Sequence, residues 1–156
     1  MISNTPSNRY MKLFISGNRS ISHLSEEVLR QFQALYISRH GPEVPSSILV
    51  GDASGVDWYI QQNTDNCVVY YSGTTPRHYK HEHKLQHVPA NGYGRAWHTC
   101  KDVAMSKDCG VHIGFIDTTR SNWRGTGTVA NHIRVLGMGK PSALICVHTN
   151  KEIHYE

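Results

Sequence analysis

The chain has 156 residues, enough for one domain with its own apolar core and too few for two. Hydrophobic residues make up 38% and fall in short compact runs, which argues against disorder, and no run approaches the ~18 apolar residues of a membrane span. The net charge of +4 suits an anionic small molecule, but no dense Lys/Arg stripe marks a nucleic-acid surface, so neither nucleic acid nor membrane is an expected partner.

Residues 1–10 read as a flexible polar leader without the apolar stretch of a secretory signal, and a cytoplasmic location is expected. Met11 to Ile15 (MKLFI) is a buried strand that stops at Ser16-Gly17. Ser25 then caps a helix carrying Glu26 and Glu27 in its first turn and Val28, Leu29, Phe32 and Leu35 at helical spacing. Ser47 to Val50 is a second strand, followed by the turn Gly51–Asp57 and a short helix ending near Asn63. Cys67 to Tyr71 is a third strand. From Ser72 to about Arg95 no periodicity survives, and the segment reads as a histidine-rich insertion. A helix over 96–105, a strand over 110–116, a turn and helix over 125–136, and a strand over 142–147 complete the pattern.

Short apolar strands alternating with helices predict an α/β fold: a Rossmann-like open parallel sheet of about five strands with helices on both faces, as a single domain over 11–150. Right-handed crossovers set the turns that follow the strands along one edge, where ligands bind open sheets. The four cysteines, Cys67, Cys100, Cys109 and Cys146, form no CxxC pair and are expected to be reduced.

Three of those turns carry donors. The first, Gly17-Asn18-Arg19, offers backbone N–H groups beside a guanidinium fork. The second offers Gly51, Asp52, Ser54 and Gly55, with Asp57 just inside the helix as a ribose acceptor, a base, or simply a helix-favouring acid. The third, Ser121-Asn122-Trp123-Arg124-Gly125-Thr126-Gly127-Thr128, adds two threonine hydroxyls, and Trp123 either stacks on a base or packs. Lys101 is a candidate phosphate contact whose bland alternative is a solvated helix face. In the insertion, Arg77-His78-Tyr79-Lys80-His81-Glu82-His83-Lys84 and His87 have ligand-type side chains, but the interspersed cations oppose a metal; no metal or cofactor is assigned, and Arg77 is read as touching an anionic ligand from a mobile cover.

In order and spacing, FISGNRS (Phe14–Ser20), VGDASGVD (Val50–Asp57), KDVAM (Lys101–Met105), IGFID (Ile113–Asp117), SNWRGTGT (Ser121–Thr128) and GKPSALI (Gly139–Ile145) give a combined pattern that resembles the SLOG superfamily. That Rossmann-like group includes DprA-type DNA-processing proteins, LOG-type phosphoribohydrolases and YspA/YpsA-like proteins. The resemblance implies a nucleotide pocket built by the three turns, and a homodimer or higher oligomer. In the phosphoribohydrolase branch a PGGxGTxxE string supplies a catalytic glutamate; here Asn131 stands in its place, and an amide cannot act as that base. The expected function is therefore binding of a nucleotide or nucleotide-derived ligand, as a sensor or sequestering protein. The alternative is N-glycosidic cleavage using Asp57, with Asp102 as another acid within reach.

Overall fold

The computed structural model describes residues 11–90 and 95–155, and the side chains of all of these except 95–97. The leader and residues 91–94, the last part of the histidine-rich insertion, lie outside the described residues. Seven described strands form one sheet: β1 (Lys12–Gly17), β2 (Ser47–Gly51), β3 (Cys67–Tyr71), β4 (Lys84–His87), β5 (Val111–Ile116), β6 (Ser142–Cys146) and β7 (Lys151–Ile153). Four helices accompany it: α1 (Glu26–Arg39), α2 (Val56–Asn63), α3 (Arg95–Asp108) and α4 (Gly127–Gly137). The sheet order is β4-β3-β2-β1-β5-β6-β7, parallel throughout except for the β6–β7 pair.

This is the expected α/β class of open sheet, with two more strands than the apolar pattern predicts. β4 lies inside the stretch read as irregular, and all four of its residues are exposed. An edge strand with no buried face leaves no alternation to read. β7 follows the turn 147–150, where Asn150 adopts φ 60°, and carries the sheet past residue 150.

Alternation along the strands sorts the core. Leu13, Ile15, Val50, Val69, Ile113 and Phe115 pack with α1 and α2 on one face. Phe14, Leu49 and Tyr70 pack with Met105 of α3 and Val135 of α4 on the other. Ser25 accepts the Val28 amide at 3.2 Å, so α1 is capped by its own sequence.

Strand order reverses at β1: β2 lies on one side and β5 on the other, so the carboxyl ends of β1 and β5 bound a crevice. Two glycines bring the flanking turns into contact there. A Cβ on Gly17 would lie 2.4 Å from Val56 Cγ2, and Gly55, at φ +79°, sits so close to Arg19 that a Cβ would be 2.5 Å from its carbonyl oxygen. Only glycine allows both the approach and, at residue 55, the backbone angle.

Candidate functional site

All three donor-bearing turns follow parallel strands and lie on the same edge, at and beside the reversal point. α2 starts from Gly55 and α4 from Thr126, and neither N-cap makes a side-chain hydrogen bond. Their first-turn amides, unlike that of Val28 in α1, donate to no side-chain cap. In the third turn the short helical turn Trp123–Gly125 takes up the Gly125 amide (to the Asn122 carbonyl) and the Thr126 amide (to the Trp123 carbonyl). The Thr126 hydroxyl donates to Trp123 O at 2.8 Å, and Thr128 is buried with its methyl packed over Gly114. That turn therefore offers helix amides more than the two hydroxyls the sequence promises. Trp123 packs edge-on to Tyr155, ring centroids 6.0 Å apart, and the exposed Arg124 lies 4.4 Å above its ring, so one face expected for a base is already covered. Ser54 and Ser121 are exposed on their turns.

Asp52 is the anchor of a charged knot. It is 3% exposed and accepts from the Arg77 amide (2.8 Å), the Arg77 guanidinium (2.8 Å) and Lys101 Nζ (2.7 Å). Burial alone would raise this carboxyl, but the bonds from Arg77 and Lys101 outweigh it and hold the group well below the usual carboxylate range. Lys101 is thus a buried partner of Asp52, and its reading as a solvated helix face is overturned. Arg77 is likewise tied down rather than carried on a free cover. The insertion around it is stitched to the β2–α2 unit: Gln61, fully buried, donates to the His78 carbonyl and accepts the Lys80 amide, and His83 Nε2 donates to the Gln61 carbonyl at 2.7 Å. Its described histidines go to separate partners, and among the described residues no three His, Cys, Asp or Glu side chains gather as a metal-ligand set.

Beside the knot lies a pair of carboxyls. Asp57 accepts the Ala53 amide at 3.2 Å, as a helix-start acid would. Its outer oxygen is 2.7 Å from where a Cβ on Gly51 would sit, so Gly51 leaves the space the carboxyl fills. Burial, then the charge of Asp102, pushes Asp57 up to about 7. Burial also raises Asp102 to about 6, against the pull of Lys101, Arg134 and a hydrogen bond from Asn131. Both residues are half-buried, and both carboxyls are held above the usual carboxylate range. Asn131, buried and accepting from Arg134 at 2.6 Å, braces this pair from α4.

The rim is cationic. Arg19 is exposed and makes no ion pair among the described residues. His98, one turn before Lys101, lies beside these cations without adding to them: burial, then the charges of Lys101, Arg77 and Arg19, lowers its pKa. Asn18 ties the ends of β1 and β5 together, its side-chain oxygen accepting the Asp117 amide at 2.8 Å. His98 and Asp102 were legible as one stripe, since 98, 101, 102 and 105 recur at helical spacing.

Behind the crevice runs a second polar group, uncharged. Ser16 Oγ meets His112 Nε2 at 2.7 Å, His112 Nδ1 meets Ser142 Oγ at 2.8 Å, Ser142 Oγ meets His132 Nδ1 at 2.8 Å, and His132 Nε2 meets the Tyr155 carbonyl at 3.0 Å. Burial lowers His112 to about 3 and lowers His132, so both are neutral. Neither the motifs nor the periodicity of the sequence points to this chain of residues.

Comparison with family models, curated proteins and solved structures found no match for this chain. Among the described residues no helix is long and apolar enough to cross a membrane. The described residues form an α/β open-sheet domain whose charged and polar side chains gather at its switch point.

Proposed function

We propose that this crevice binds a nucleotide or a nucleotide-derived small molecule, as a SLOG-type domain would. The observation that carries the reading is the convergence, at the reversal of strand order, of two helix starts without side-chain caps and the exposed Arg19, next to a recessed carboxyl pair. The amides and Arg19 suit a phosphate. Asp57 and Asp102 suit sugar hydroxyls, which donate to carboxylate oxygens. Calorimetry against mononucleotides, cyclic nucleotides and NAD-derived compounds tests it: saturable one-site binding is expected, and no heat from any of them would end the proposal.

A second reading, cleavage of an N-glycosidic bond, is favoured by one observation. Two neighbouring carboxyls, Asp57 and Asp102, are both raised toward neutrality, the range in which a carboxyl can serve as acid or base. An ionised member of the pair would stabilise positive charge developing on the sugar ring while water attacks the anomeric carbon and the base departs with a proton. Asn131 does not bar this mechanism, because the acid it replaces has a counterpart in Asp102, to which it is hydrogen-bonded. Incubation with the same panel and chromatography for free base separates the readings. Turnover that survives both Asp57→Asn and Asp102→Asn would refute the catalytic one.

A further inference from the structure

The protons in the Ser16–His112–Ser142–His132 chain have one consistent arrangement. The Tyr155 carbonyl can only accept, so His132 carries its proton on Nε2 and presents a lone pair at Nδ1. Ser142 must donate to that lone pair, which leaves its oxygen to accept from His112 Nδ1–H. His112 Nε2 is then a lone pair, and the only hydrogen on Ser16 Oγ is taken by it. The Tyr155 carbonyl thereby fixes, through three side chains, the polarity of a hydroxyl near the carboxyl end of β1.

Ser16, 7% exposed, lies near the carboxyl end of β1, at the reversal of strand order. It pairs in register with Gly114 of β5. The register Phe14↔Leu49 carried two residues further sets it beside Gly51 of β2. Its neighbours on both sides therefore lack side chains, and the carboxyl of Asp57 leans over one of them while the first turn of α4 leans over the other. We infer that Ser16 is the crevice's dedicated hydrogen-bond acceptor and reads a sugar hydroxyl of the bound nucleotide. Its donor is already engaged, so it favours a ligand O–H and rejects an acceptor placed there. This rests on the nucleotide reading above and adds which group on the guest is recognised and by which atom.

The test uses the full chain and titrates the four ribonucleoside 5′-monophosphates and their 2′- and 3′-deoxy counterparts by calorimetry. Loss of the hydroxyl that Ser16 reads is expected to weaken binding about tenfold in the wild type and to make little difference in Ser16→Ala. Ser142→Ala keeps the Ser16 hydroxyl but frees its polarity, and is expected to blunt the same discrimination. A wild type that binds ribonucleotides with the same ribo/deoxy ratio as Ser16→Ala overturns the inference and leaves the nucleotide reading standing. No binding by any of the twelve overturns the inference, and the nucleotide reading then falls as well unless a cyclic or NAD-derived compound binds. Two-bond 1H–15N spectra of the histidines judge the chain without any ligand: neutral Nδ1–H at His112 from pH 5 to 8, and Nε2–H at His132 at pH 8, are expected. An Nε2–H on His112 would make Ser16 a donor and sink the assignment.

Discussion

Two buried polar groups lie on the sheet edge, a few residues apart, and they solve the problem of burial in opposite ways. Around Asp52, Asp57 and Asp102 the solution is charge: one carboxylate held ionised by Arg77 and Lys101, and two more carboxyls held above the usual carboxylate range. Along Ser16, His112, Ser142 and His132 it is neutrality, with every donor matched to an acceptor and no group ionised. The charged knot contains groups that titrate toward neutral pH, whereas the neutral chain holds the Ser16 hydroxyl in one orientation. On the reading proposed above, acid–base behaviour and hydroxyl recognition would then be tuned separately.

The contrast can be broken most forcefully at Asp52. Asp52→Ala strands Lys101, 5% exposed at its side chain, without its counter-charge, and should cost about 3–5 kcal/mol in urea unfolding. His112→Phe keeps an aromatic ring in the core but orphans the hydroxyl of Ser16 and leaves Ser142 bonded only to His132; about 1–3 kcal/mol is expected by the same measurement, less than at Asp52 because no charge is left behind.

A smaller effect sharpens the comparison through pH. Asp57 and Asp102 have folded values raised above those of the unfolded chain, so their contribution is fully present below about pH 4 and is lost as pH rises through about 6 and 7. His112 has a depressed folded value, so its contribution is present above about pH 6.5 and is lost as pH falls toward about 3. The two groups tilt stability in opposite directions over an overlapping window. Asp57→Asn should therefore gain on the order of 1 kcal/mol over wild type at pH 8 and show little gain at pH 4. Equal offsets at both pH values would mean that Asp57 is ionised throughout. The smallest stability effect belongs to the rim: Arg19→Ala should unfold within about 0.5 kcal/mol of wild type. If the crevice takes a phosphate, the same variant should weaken mononucleotide binding about tenfold.

Much of this was legible along the chain, and the pattern of what was not is physical. The strands β1, β2, β3, β5 and β6 announce themselves because each is buried and apolar, and Ser25 marks the start of α1 through its cap. β4 and β7 are edge strands with exposed or half-exposed residues, and so carry no hydrophobic signature. Gly17, Gly51 and Gly55 were marked by following strands or preceding a helix. Their actual purposes are room for Val56 and for the Arg19 backbone, both long-range, and for the Asp57 carboxyl six residues on. Asp52 read as one more turn residue because its partners lie 25 and 49 positions away. Ser16 and His112 were hidden for the same reason: a serine closing a strand and a histidine inside one look like ordinary sheet residues until the 96-residue separation between them is closed by pairing.

The close approach of Gly55 to Arg19 has a mechanical consequence. Because the first and second turns touch backbone to backbone, with Val56 wedged against Gly17, they form a single stiff wall that cannot widen without unseating α2. The opposite wall is built differently: a side chain added at Gly125 would meet nothing, and one at Gly127 would find its nearest neighbour at 3.6 Å. Any adjustment to guests of different girth must come from that looser side, so the start of α4 is where a change of sequence would reshape the mouth of the crevice without disturbing its floor.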